Sequence, residues 1–368
     1  MSDRISPTPV LQFGTSRFLQ AHADLFFSEC ATPLTVTVVQ SSGDASRAGR
    51  LAALAAPEGY PVRIRGLSDG QPVDTEQRVT SVRRTLSTAT DWPEICRIAA
   101  SEARIILSNT GDRGYLPQPA DDGPVFDQAM SYPAKLYHLL AHRHAAGATP
   151  LSVFPMELVA DNGTVLRDRV MQIATAQGAS DALTGWLGQC IWANSLVDRI
   201  VSEPIEPAGA VAEPYALWAI GSAPGVTAPC DHPAIRMVAD LDEIERLKLH
   251  ILNLGHTVLA DLWQAQGADP DRLVRQMMTG TPRATLDEIY ATEVLPGFAA
   301  KGRLAEAQAY LAVTLDRFAN PYLDHRMADI AQNHPQKVQR RIGAFLDWVG
   351  ADGPAMPQLT AIVGRAGS

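Results

Sequence analysis

Cysteine is scarce in this chain of 368 residues: four, at positions 30, 96, 190 and 230, with no CxxC and no Cys/His pair at metal-ligand spacing. That excludes a disulfide framework and a structural zinc site, and no metal is expected. No run approaches the roughly 18 apolar residues of a membrane span. The first residues, Met-Ser-Asp-Arg-Ile-Ser-Pro-Thr-Pro, lack the apolar core of a signal peptide, so a cytoplasmic location is expected. Positive charge is in deficit, 31 Lys and Arg against 40 Asp and Glu, a net charge of −9. Non-specific nucleic-acid binding needs a basic surface and is therefore not expected, and an anionic substrate would need a local basic pocket. Internal repeats and low-complexity segments are also missing. What is present is an ordinary globular composition, 46% hydrophobic and 19% charged, in a chain long enough for two domains.

Along the chain, residues 10–13 read as a strand, 14–17 as a turn, 18–30 as a helix and 34–40 (LTVTVVQ) as a β-branched strand. Residues 61–67 and 77–86 read as extended decoration, 92–100 as a helix, 103–109 as a buried strand, 133–145 as a helix and 150–154 as a strand. Helices are expected over 163–178 and 182–191, and strands over 194–201 and 215–220. From Leu241 to Trp348 the pattern is helical, with breaks at 267–270, 280–282, 296–297 and 320–321. The expected fold is α/β: an N-terminal Rossmann-like doubly wound sheet over 1–235, then a mainly α-helical catalytic domain over 236–368. The Pro-, Gly- and Ala-rich stretch 203–233 reads as the connection.

The turn Gly14-Thr15-Ser16-Arg17-Phe18 lies between a strand and a helix, where a dinucleotide pyrophosphate is bound, but keeps one glycine where the usual fingerprint has three. Ser16 allows a similar approach and adds a hydroxyl, and Arg17 is placed to face a phosphate. A plain strand-to-helix turn would look the same. After the second strand come Gln40, Ser41, Ser42 and Asp44, with Arg47 and Arg50 beyond. An acid there would hold the ribose of NAD, and serines with an arginine would hold the 2′-phosphate of NADP; both remain open. Asn109 and Thr110 end a strand where nucleotides bind in open α/β sheets. The aromatic helix 18–27 reads as core.

Lys248, Asn253 and His256 stand at i, i+5 and i+8 in a helical segment. At 100° per residue they fall at 0°, about 140° and about 80°, on one arc. Leu241, Ile244, Leu247, Ile251, Leu254, Val258 and Leu262 supply a buried stripe. A lysine beside such a stripe can lose solvent and act as a base, with a substrate hydroxyl between it and the other two. A solvated helix flank is the bland alternative.

Six motifs in order carry a resemblance: Gln12-Phe-Gly-Thr-Ser-Arg-Phe-Leu-Gln-Ala, Ser108-Asn-Thr-Gly, Met156-Glu-Leu-Val-x-x-Asn-Gly163, Asn194-Ser-Leu-Val-Asp-Arg-Ile200, Glu213-Pro-Tyr-Ala-Leu-Trp218 and Arg317-Phe-x-Asn-Pro-Tyr-x-Asp-His325. With Lys248-x4-Asn-x2-His256 they resemble the polyol-specific long-chain dehydrogenases, the mannitol dehydrogenase family, and within it the tagaturonate (altronate) reductase branch. The resemblance implies an NAD-dependent oxidoreductase (NADP left open) that interconverts a keto-sugar acid and its hydroxy acid without a metal. Lys248 would be the proton donor and acceptor, Asn253 the oxyanion donor and His256 the orienting group. Asp198, Glu157, Arg317, Asn320 and Lys337 would contact substrate, with Asp324 and His325 as further candidates. Glu157 stands where the mannitol branch has an asparagine, and is read as binding a hydroxyl or tuning Lys248. Gly14, Thr15, Ser16, Arg17, Phe18, Gln40, Asn109 and Thr110 would hold the cofactor. The family's arginine near the first helix is Gln20 here, and typical members continue further beyond the region of Arg341. A mannitol-type polyol 2-dehydrogenase and an inactive nucleotide-binding paralogue are the alternatives. The expected partner is a small sugar acid or polyol, with no nucleic acid or membrane; the oligomeric state is open.

Overall fold

Strands Val82–Ser87, Val36–Gln40, Val10–Phe13, Ile105–Ser108, Ser152–Pro155 and Ile191–Trp192 lie side by side in that spatial order, every neighbouring pair parallel. The structure, a computed structural model, describes residues 6–111 and 114–366; residues 1–5, part of the leader reading above, lie outside the described residues. The chain starts in the middle of this sheet, builds outward on one side, then returns to build on the other. The reversal falls between the strands ending at Phe13 and Ser108, and this is the switch point at which open α/β sheets bind ligands. Parallel strands covered on both faces need nearly continuous apolar runs, and Val10, Leu11, Phe13, Val36, Val38 and Val39 are all fully buried.

The fold is the expected Rossmann-like sheet followed by a mainly helical region. By compactness the first unit comprises Met1–Ile64, Thr75–Ala212 and Ala216–Leu241, and the second Arg65–Asp74, Glu213–Tyr215 and Asp242–Ser368. Several local expectations are corrected. The helix expected over 18–30 is two, Arg17–Gln20 and Ala23–Glu29, because the chain turns at Ala21 and His22. The extended stretch 77–86 belongs to two strands, Gln71–Val79 and Val82–Ser87, and the second is an edge of the main sheet rather than decoration. Its Arg83, Arg84 and Thr85 hid it, since an edge strand tolerates polar residues that a central one does not.

The stretch 203–233 is not a linker. Ala210–Ala212 pairs in parallel with Val62–Ile64, and Leu217–Gly221 pairs antiparallel with Ser195–Asp198. Its small residues serve close approach: Gly209, at φ +125°, has no room for a Cβ against the Pro61 carbonyl.

The second unit packs around Ile251, Leu254, Val258, Leu259, Tyr290, Val294, Phe298, Val338, Ile342 and Phe345. Three of the predicted stripe, Ile251, Leu254 and Val258, are fully buried, and Leu247 and Leu262 pack on that core. Each such buried side chain contributes roughly 1.5–3 kcal/mol. The break expected at Pro296 is absent: Gly280–Ile289, a π-helical turn at Tyr290–Val294 and Leu295–Ala300 follow without interruption. The wider turn ahead of Pro296 accommodates a ring that an α-helical interior would not. Further π-helical turns are Lys248–Asn253 and Gln339–Gly343. Among the described residues no helix is long and apolar enough to cross a membrane.

Candidate active site

At the switch point, Gly14 has φ +124°, and a Cβ there would sit 2.5 Å from the Asn109 carbonyl oxygen. Only glycine lets the turn lie against the neighbouring strand end. Ser16 caps the next helix by accepting the Leu19 N–H, and its hydroxyl donates to Asn109 Oδ1 at 3.2 Å. Asn109 in turn donates to the Met156 carbonyl at 2.8 Å. Gly14, Ser16, Asn109 and Thr110 are thus assembled at one edge, and Thr15 is close by, its carbonyl accepting from Gln20 at 3.3 Å. This edge fits a dinucleotide: a glycine that leaves the backbone open, a hydroxyl in place of the second glycine, and polar strand ends at the reversal.

Other expected cofactor residues are engaged elsewhere. Arg17 donates to the carbonyls of Ile205 (3.0 Å) and Gly209 (2.8 Å) and pairs with Glu206 at 2.6 Å, so its guanidinium ties down the 205–209 loop. Phe18 stacks on His22 at 4.7 Å. Gln40 is buried and donates to the Asp44 carbonyl at 2.9 Å, while Asp44 caps its own turn through Ser46 and pairs with Arg47.

Glu157 departs most from its expected part. Its buried carboxylate accepts four hydrogen bonds: from Ser108 Oγ (3.1 Å), Thr110 N–H (3.0 Å), Thr110 Oγ1 (3.0 Å) and Tyr115 Oη (2.8 Å). Both oxygens are occupied by the end of the adjacent strand Ile105–Ser108 and the segment after it, so Glu157 ties two neighbouring strand ends together. Asn162 is equally structural, bonding to the carbonyls of Pro155, Glu157 and Ser195 and accepting from Gly163 and Ser195 N–H. Asp198 ends its strand opposite Leu217 and is buried.

In the second unit Lys248 and Asn253 open and close a π-helical turn, with half-buried side chains. The helical wheel above set them about 140° apart. A π-turn bonds i to i+5, so residues five apart come round to the same side, and the two groups share a face more closely than periodicity alone allows. Tyr290 Oη donates to the Ile251 carbonyl at 2.8 Å, and Arg341 Nη1 lies 3.4 Å from the Asn253 carbonyl and 3.2 Å from Thr257 Oγ1. His250 Nδ1 lies 3.2 Å from the Arg341 carbonyl. The Lys248–Asn253 turn is therefore hydrogen-bonded to each of the other two π-turns. Gly255 has to be glycine, because a side chain would strike the Tyr290 hydroxyl.

His256 is buried against Phe318 (4.3 Å) and edge-on to His325 (5.3 Å). Burial first, then the neighbouring His325 and the cationic Arg341, Arg317 and Lys337, hold it well below the usual imidazole range. It is neutral at physiological pH and can donate one hydrogen bond and accept another.

Arg317, expected to grip a substrate carboxylate, instead grips Glu213. Nε and Nη2 meet the two carboxylate oxygens at 3.0 and 2.9 Å, both residues are buried, and the guanidinium lies 4.8 Å from the Tyr215 ring centre. The two motifs that contain them are thus joined by a bidentate ion pair. Asn320 turns the chain at the helix end, accepting from Tyr322 N–H at 3.0 Å. Asp324 is exposed and pairs with Arg275. Lys337 donates to the Ile330 carbonyl at 2.8 Å. Arg341 and Tyr290 were missed; the i, i+4 spacing of Lys337 and Arg341 was the available signal for the former, and nothing local marked the latter. Among the described residues no group of three or more His, Cys, Asp or Glu side chains could hold a metal ion.

The fold is thus a Rossmann sheet with a glycine turn at its switch point, followed by a helical unit that carries Lys248, Asn253 and His256. Residues 8–229 match the mannitol dehydrogenase Rossmann domain and residues 240–366 the mannitol dehydrogenase C-terminal domain, and the chain belongs to that family. It is an oxidoreductase that binds NAD(P) and acts on a small molecule. Its relatives include an altronate oxidoreductase of Halalkalibacterium halodurans, 29% identical over 95% of this chain and 72% of the relative. Another is the altronate oxidoreductase of Bacillus subtilis, 27% identical over 91% and 74%. Among solved structures a D-sorbitol dehydrogenase is similar in fold (TM-score 0.78, 18% identity, 92% of this chain and 75% of that one). So is Pseudomonas fluorescens mannitol 2-dehydrogenase in complex with NAD and D-mannitol (TM-score 0.67, 17% identity, 98% and 79%).

Proposed function

We propose that the chain interconverts a six-carbon keto-sugar acid of the tagaturonate type and its hydroxy acid, with Lys248 carrying the proton. The observation that carries the chemistry is the π-turn that sets Lys248 and Asn253 on one face, with the neutral, buried His256 one turn on. The altronate oxidoreductases among its relatives support the choice of substrate. The dinucleotide, when bound, supplies or accepts a hydride at the carbonyl carbon. In reduction the Lys248 ammonium gives its proton to the carbonyl oxygen; in oxidation the neutral amine takes the hydroxyl proton. The Asn253 amide N–H donates to that oxygen as charge develops on it. His256 holds a neighbouring hydroxyl. On this reading Gly14, Ser16, Asn109 and Thr110 face the cofactor, and Asp198 accepts from substrate hydroxyls.

A neutral ketose and its polyol form the second reading, favoured by one observation: Glu213 already occupies the Arg317 fork that a carboxylate would need. A panel of ketoses and keto-sugar acids, assayed by nicotinamide absorbance with NADH and NADPH, separates the two. Lys248→Ala is expected to lower kcat on the best substrate by about 10²–10⁴-fold, with NADH still bound. An unaltered rate would refute the proton assignment. A preference for neutral polyols would remove the sugar-acid reading and leave the proton chemistry standing.

A further inference from the structure

The second unit contains a like-charge pair that the catalytic reading does not use. Lys337, on helix His334–Val338, and Arg341, in the following π-turn Gln339–Gly343, stand four residues apart and are both half-buried. Like charges at that spacing repel, and partial burial adds a desolvation cost. Their hydrogen-bond partners are neutral oxygens: the Ile330 carbonyl for Lys337, and the Asn253 carbonyl and Thr257 Oγ1 for Arg341. Burial and Arg341 together hold the Lys337 ammonium below its ordinary range. Arg341 is bonded at Asn253 and Thr257, on either side of His256, and His325 lies edge-on to that ring. Among the charges acting most strongly on His256, Arg317 is answered by Glu213 and His325 feels the exposed Asp329. Among the described residues no carboxylate is hydrogen-bonded to Lys337 or Arg341. Arg341 reaches its two partners through Nη1, and the opposite edge of its guanidinium has the geometry for two parallel bonds to a planar anion.

We infer that Arg341, beside Lys337, binds the substrate carboxylate and is the residue that selects a sugar acid over the neutral ketose of the same configuration. This rests on the sugar-acid reading above, and gives the carboxylate a site that Arg317 does not provide.

The test is kcat/KM, at saturating NADH, for a six-carbon keto-sugar acid and for the ketohexose that differs from it only in CH2OH for COO−. Wild type, Arg341→Gln and Arg341→Lys are compared. Arg341→Gln is expected to lower the acid-to-ketose ratio by about 10- to 100-fold, mainly through KM for the acid. Arg341→Lys keeps the charge without the fork and is expected to lower the ratio by only several-fold; it keeps the inference testable if Arg341→Gln does not fold. Equal losses on both substrates would overturn the inference, showing that Arg341 merely positions Asn253. A wild type that prefers the acid, with a ratio unchanged in both variants, would overturn this inference alone. A wild type with no preference for the acid would overturn it together with the sugar-acid reading.

Discussion

The two units solve the same problem, holding polar groups still, by different means. In the first, strand ends are fixed by side chains that are fully bonded: Glu157 accepts four hydrogen bonds and Asn162 takes part in five. What such an edge offers a ligand is backbone and an open turn. In the second, polar side chains project from a helix whose hydrogen-bond register has been widened, and the widened turns are held by Tyr290 and Arg341. A regular sheet is suited to binding a constant cofactor, whereas a distorted helix can bring together groups that α-helical periodicity separates.

The contrast can be broken by substitutions that should act on one unit's property alone. Gly14→Ala is expected to have the largest effect, because a Cβ at φ +124° meets the Asn109 carbonyl oxygen. NADH affinity should fall by tenfold or more in a fluorescence titration, with hydrogen exchange across 248–263 unchanged. Equal loss of protection there would mean the glycine supports general folding rather than the nucleotide edge.

Acid should separate the units next. Burial lowers His250 to about 4 and holds His256 and His325 below the usual range in the second unit. Folding favours the neutral ring of each, so their stability contribution is complete above about pH 6.5 and is lost as pH falls toward the lowered values. The first unit has His22, lowered to about 3, and His138, also lowered, both mainly by burial. It also has Asp24, which burial raises to about 7. Asp24 has the opposite sign: the native state prefers it protonated, so acidification from about pH 7 stabilises. Between pH 6.5 and 4.5 the second unit should therefore lose proteolytic protection first. Cleavage beginning in the sheet would contradict this.

The smallest effect is expected from Tyr290→Phe, which removes one hydrogen bond to the Ile251 carbonyl, worth about 1 kcal/mol. It should lower kcat several-fold without changing NADH affinity. A change in nucleotide affinity instead would show that the π-turn is not what Tyr290 serves.

The four central strands of the main sheet were legible because β-branched runs bounded by turns have few other uses; 34–40 was expected and Val36–Gln40 found, whereas the edge strand Ile191–Trp192 was read as the end of a helix. The edge strand Val82–Ser87 was read as extended, but its place in the main sheet was not legible, since its polar residues satisfy no burial pattern. The pairing of Ala210–Ala212 with Val62–Ile64 was hidden as well, because small residues signal close approach only once the partner is known. At the candidate site, spacing and resemblance together pointed to Lys248, Asn253 and His256 as candidates. The partners of Glu157, Arg317 and Asn320 were not legible, because each lies on a different element.

By itself the sequence determined the alternation of strand and helix giving way to an all-helical region, the buried stripe behind Lys248 and the glycine turn after the first strand. Those depend on hydrophobic period and on residues whose backbone freedom is local. Only the tertiary structure decided that Glu157 anchors a strand end, that Arg317 belongs to Glu213, and that the Lys248 segment is wound as a π-turn. Each depends on a hydrogen bond or ion pair across a long sequence separation, and no local pattern encodes which distant group will satisfy a buried charge or carbonyl.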